Sequence, residues 1–254
     1  MTILSALALA LKIHYSLAES GDLSWILVPT VDIVEPLSGI RFEQEAYAGF
    51  VNRARGVIIA PSCAGVNFLI ISFLMAGVQG ILHFERCRAR AAWLSFSLIA
   101  GFFLTISINS LRIIISIALH EADIHSSGIM IMADEAHRLM GAGLYLTALH
   151  IYFHAVRSFL NILRPAHKSA AGLDETATGF YLPRLLPLFC YLFVTLFLPL
   201  LKCPGASAQQ VFLAHCSVVV GLGAAVYAAV LSAELFFLKF IRRIGPHETE
   251  YPCC

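Results

Sequence analysis

Three side chains in this chain are of types that do covalent chemistry, and each stands in an otherwise apolar stretch: Cys63 in "PSCAGVNF", Arg112 in "INSLRIII" and His137 in "MADEAHRLMG". Pro61 suits the first position of a helix, where its missing N–H costs nothing. That start would put Cys63 near the third helical position. The free N–H groups and partial positive charge there favour a thiolate, the nucleophilic form of cysteine. Asn67, four residues on, would share its face. Arg112 is the lone charge of a long apolar run, with Asn109 three residues earlier on the same face. A charge within a membrane span costs at least ~2.5–3.5 kcal/mol, so its default reading is functional. Asp134 precedes His137 by three residues, where it could cap a helix or orient the imidazole, and Gly141 one turn later allows close helix approach. A thiolate to attack a carbonyl, an imidazole to move protons and a cation to hold the oxyanion make an acyl-transfer set.

Each residue also has a plainer reading. A cysteine in an apolar helix packs as a small hydrophobe. An arginine can snorkel to the interface, and a histidine can sit at a loop edge. Asn67 and Asn109 can serve as helix–helix glue. His120 and His125 compete with His137, but lack a helix start with an acid behind it. His150 and His154 are four residues apart, a spacing that can hold a metal, yet no carboxylate or cysteine is in reach along that helix. Neither a metal nor a cofactor is expected. The seven cysteines are scattered without a Cys-x-x-Cys pair, and their odd number leaves at least one thiol free.

The elements that must position these groups are membrane helices. Of 254 residues, 59% are hydrophobic and 13% charged, against about 25% charged in a soluble domain, and mean hydropathy is +0.80. Several apolar runs reach about 20 residues, the length that crosses a ~30 Å hydrocarbon core as helix. Alternating segments of ~10 residues, the mark of a membrane barrel, are missing. The expected fold is therefore all-α: a single integral membrane domain, a polytopic bundle of about six transmembrane helices. The spans are expected at about 1–17, 61–82, 92–119, 135–159, 185–201 and 211–240. The first lacks the basic start of a signal peptide and reads as a retained helix. Residues 19–56, with Trp25 and two prolines, read as an interfacial segment. Residues 57–160 form the catalytic core spans, 183–240 the two C-terminal spans and 241–254 a tail.

Basic residues cluster at Arg86–Arg90, Arg164–Lys168 and Lys239–Arg243. The clusters are separated by even numbers of spans and share a side, which the positive-inside rule makes cytoplasmic. Both termini are then cytoplasmic. Cys63, Arg112 and His137, from three different spans, all fall near the outer face.

With order, depth and residue types in place, "SCAGVNF", "NSLRI" and "HRLMG" resemble the exosortase/archaeosortase family, most closely its exosortase K branch. The resemblance covers roughly residues 25–159. It implies a membrane-embedded cysteine transpeptidase or protease in the bacterial inner membrane, its active site facing the periplasm. Cys63 would be the nucleophile that forms a thioester, His137 the acid and base, and Arg112 the oxyanion holder. Asn67, Asn109 and Asp134 would support them. The implied partner is an exported protein whose C-terminus carries a short motif, one transmembrane helix and a basic cluster; its chain passes to an acceptor nucleophile. Membrane lipid is the surrounding partner, and nucleic acid is not expected. Two rivals belong to other classes. A transporter or channel would show midplane charges and repeated, broken helices, and no internal repeat is visible. A membrane acyltransferase with a lipid donor would use the same cysteine chemistry.

Overall fold

The computed structural model describes residues 1–125, 130–163 and 177–197, with short helical pieces at 216–217, 220–221, 223–225, 227–229 and 231–233 and residue 236; side chains are described for 1–121, 140–163 and 185–195 and for those short pieces. The chain is mostly helical. Helix α1 spans Thr2–Leu17, α2 Ser24–Ser38, α3 Val66–His83, α4 Cys87–His125, α5 Met130–Ile162 and α6 Ala177–Leu192, with a π-helical turn at Phe193–Phe197.

Helix α3 is the hub, packing against α1, α4, α5 and α6. Its sequence explains the position. Val66, Phe68, Leu69, Ile70 and Ile71 are apolar and buried, with Asn67 the one polar residue among them, and a helix this apolar around its circumference must be surrounded. Small residues set how closely its neighbours approach. A Cβ on Gly80 would lie 1.9 Å from the Trp93 ring of α4, and the Trp93 indole donates to the Ala76 carbonyl of α3 at 2.9 Å.

Two stretches are long and apolar enough to cross a membrane, Pro61–His83 and Cys87–Glu121. They differ in surroundings: 72% of the α3 window is buried, but only 33% of the α4 window. Phe96, Ile99 and Phe103 of α4 and Ile151 and Phe159 of α5 face outward. Helix α1 is apolar but only 16 residues long. The basic groups of residues 164–168 and 239–243, the tail with Cys253 and Cys254, and the expected span ends at 198–201 and 211–215 lie outside the described residues.

Two expectations change. Residues 19–56, expected to belong to an all-helical chain, form a 3-10 turn, the packed helix α2 and part of a small sheet. Helix α2 buries Ile26, Leu27, Val31 and Val34 despite containing Pro29 and Pro36, and Trp25 stacks on Phe102 of α4 at 5.9 Å. Strands β1 (Glu43–Glu45), β2 (Gly49–Asn52) and β3 (Val57–Ile59) make an antiparallel sheet in that order, with Gln44 opposite Phe50 and Val51 opposite Ile58. Glu35 at the end of α2 accepts from the Phe42 N–H at 2.8 Å and fastens helix to sheet. Arg55, after β2, pairs with Glu121 near the end of α4. The outer loop expected at 120–133 is also shorter, because α4 continues to His125 and α5 begins at Met130.

Candidate functional site

Cys63 stands at the junction of sheet and bundle. Strand β3 runs into a 3-10 turn at Pro61–Cys63, and α3 starts only at Val66. The thiol is therefore not in the first turn of an α-helix, as the position of Pro61 suggested. Proline's fixed φ starts a 3-10 turn as readily as an α-helix. Gly65 makes the break: it caps α3 in the left-handed region at φ +73. A Cβ there would sit 3.0 Å from the Asn109 side chain and 3.2 Å from Thr105, so both the backbone angle and the contact with α4 require glycine.

From this turn a chain of hydrogen bonds leads to the buried cation. Arg112 Nη1 donates to Tyr145 Oη at 2.9 Å. Tyr145 Oη donates to Asn109 Oδ1 at 2.8 Å. Asn109 Nδ2 donates to the Cys63 carbonyl at 2.6 Å. The direction is fixed at both ends, since a guanidinium only donates and a carbonyl only accepts. Asn109 is wholly buried. Tyr145 is held further by Phe68, stacked at 4.7 Å, and the Arg112 guanidinium lies 5.4 Å from its ring centroid. The Cys63 thiol is free and partly exposed, and it lies within electrostatic range of Arg112. Among the described residues no carboxylate pairs with Arg112.

Of the expected site residues, Cys63, Asn109 and Arg112 thus come together. Asn67 is reached by another route. With the helix broken at Gly65 it no longer follows Cys63 by one turn, and its Oδ1 accepts from Lys12 Nζ of α1 at 2.7 Å. His137 and Asp134 are on α5, but their side chains lie outside the described residues, as does that of His125. His120 is exposed at the far end of α4. The rings of His150 and His154 meet at a tilt of 59°, their centroids 4.6 Å apart, and no group of three metal-binding side chains occurs among the described residues.

The sequence reading missed four contributors. Tyr145 is the central link. Tyr15 of α1 lies within electrostatic range of Cys63, Tyr145 and Arg112, and Tyr191 of α6 within range of Tyr145 and Arg112. Lys12, 5.6 Å from the Tyr15 ring centroid, brings a second cation. Helix α6 therefore approaches the site, although its sequence shows nothing diagnostic. Lys12 alone carried a visible signal, as a charge inside an apolar helix. No protein-family model matches this chain, and neither a curated protein nor a solved structure matches it.

Proposed function

We propose that the chain is a membrane-embedded cysteine enzyme of acyl transfer, a transpeptidase or protease acting on the C-terminal signal of exported proteins. The observation that carries the reading is the hydrogen-bond chain from Arg112 through Tyr145 and Asn109 to the Cys63 carbonyl. It holds a cation and a thiol-bearing turn in one fixed relation, as electrostatic catalysis needs.

Cys63 Sγ attacks the substrate carbonyl carbon while His137 takes the thiol proton. Arg112 faces the oxyanion of the tetrahedral adduct. The C–N bond then breaks, and the leaving amine takes the proton from His137. The resulting thioester is opened by water or another acceptor, which restores the thiol. Helix periodicity favours the role of His137: positions 137, 141 and 145 form one stripe of α5. Gly141 lies against Arg112, where an added Cβ would be 3.3 Å from Nε, and Tyr145 bonds the same side chain.

The membrane setting is supported by α4, whose apolar window is two-thirds unburied. In water so large an apolar surface favours association, whereas lipid covers it. By the positive-inside rule the basic residues beside Cys87 favour the cytoplasm for that end, and so the periplasm for the Cys63 end. Of the six spans, the second and third coincide with helices long and apolar enough to cross a membrane, and the others rest on the sequence alone.

The test is processing of exported proteins from the same organism that end in a short motif, one transmembrane helix and a basic cluster. A C-terminal tag on such a reporter should be lost in cells carrying the protein and kept with Cys63→Ala. A hydroxylamine-labile adduct on Cys63 should accumulate early. Equal tag loss with Cys63→Ala ends the reading. A lipid donor found on Cys63 would favour the acyltransferase alternative.

A further inference from the structure

An apolar groove of about 300 Å³ opens at the other end of α4, lined by Phe84, Ala89, Ala92, Trp93, Phe96 and Phe159. Its floor is built. The Trp93 indole N–H is spent on the Ala76 carbonyl, so the ring itself presents only apolar surface. The ring lies directly against Gly80, where a Cβ would collide with it. Phe159 stacks with both Trp93 and Phe96, at 6.1 and 6.0 Å. Ala89 and Ala92 are too small to fill the space between these rings.

The rim is basic. Arg86, Arg88 and Arg90 fall within five residues, beside the single carboxylate Glu85. Arg86 and Arg88 are exposed, and Arg90 is half-buried with its Nε donating to the Phe84 carbonyl at 2.6 Å. Leu163 closes one side of the groove, and the next residue in sequence is Arg164. Depth agrees with this arrangement. Trp93 and Arg112 are nineteen residues apart on one helix, about 28 Å along its axis, close to the ~30 Å of a hydrocarbon core. The groove is thus at one membrane boundary when the Cys63 site is at the other.

We infer that this groove binds an anionic phospholipid, with an acyl chain along the Trp93–Phe96–Phe159 surface and the headgroup phosphate at Arg86, Arg88 and Arg90. An apolar slot bordered by arginine matches a molecule that is apolar along its length and negative at its end. The inference rests on the membrane reading, and not on the chemistry of Cys63.

Trp25→Phe leaves Trp93 as the sole tryptophan, so its fluorescence reports the groove alone. The full chain is reconstituted in phosphatidylcholine vesicles with a small share of brominated phosphatidylglycerol, or the same share of brominated phosphatidylcholine. The anionic lipid should quench Trp93 at a lower mole fraction than the neutral one. In Arg86→Gln/Arg88→Gln that preference should fall by roughly fivefold per arginine. Equal quenching by the two lipids, or by neither, overturns the site, as does a preference unchanged in the double variant. Failure of the protein to float with the vesicles would overturn the membrane reading as well, an outcome distinct from these.

Discussion

Tyr145 joins the two halves of the candidate site, and its role is visible only in three dimensions. A tyrosine in an apolar helix is common, because its ring is apolar and its hydroxyl needs one partner. Here the hydroxyl has two, accepting from Arg112 and donating to Asn109. Tyr145→Phe keeps the ring on Phe68 but strands a buried amide oxygen, at about 1–3 kcal/mol. Processing should fall roughly five- to hundredfold while protein level holds, and the Cys63 alkylation rate should change too. An unchanged alkylation rate would mean that the chain of hydrogen bonds does not govern the thiol. Arg112 separates two roles more sharply. A snorkelling arginine is replaced well by lysine, whereas a fork of donors on an oxyanion is not. Arg112→Lys is expected to accumulate normally and to lose about 10²–10³ in processing rate. Arg112→Ala should be almost inactive, and full activity at equal protein level would return Arg112 to the plainer role. Cys63→Ser should abolish processing and Cys87→Ser should not, since Cys87 begins α4 at the opposite end from the site.

At the scale of elements, the turn before α3 decides where the thiol points. Gly65→Ala forces a left-handed angle on a side chain and drives its methyl toward Asn109. The cost should be about 1–3 kcal/mol, read as a lower thermal midpoint in detergent, together with lost processing as the Asn109–Cys63 bond opens. An unshifted midpoint would mean that this turn adapts. What the sequence made legible follows the same physics. Helices α3 and α4 were legible because uninterrupted apolar runs of span length have few other readings. Asn109 and Arg112 were legible as a pair because helix spacing fixes them on one face. The sheet was not, because strands of three or four residues are too short to show alternation. The Cys63 turn was misread because Pro61 starts two kinds of helix. The one-turn spacing of Asn67 from Cys63 was lost in consequence, and its partner Lys12 lies 55 residues away, beyond any local pattern.

For the molecule as a whole, function depends on the side on which each end lies. The arginines beside Cys87 and the exposed apolar face of α4 set the expectation. Alkaline phosphatase fused after Glu121 should be active, and fused after Arg88 inactive. The opposite pattern would invert the topology and put Cys63 in the cytoplasm, out of reach of exported substrates. The ion pair of Arg55 with Glu121 ties the sheet to the same end of α4 as the site, so both should move together in any such inversion.

The bond between Lys12 and Asn67 sets an order in time. When α1 leaves the ribosome, Asn67 has not been made. At ~5–20 residues per second, the 55 intervening residues take roughly 3–11 s. For that interval a 16-residue helix bearing an ammonium group is a poor match for the bilayer. The first helix should therefore wait at the membrane surface and enter together with α3, so that the chain assembles from its second hydrophobic segment backward.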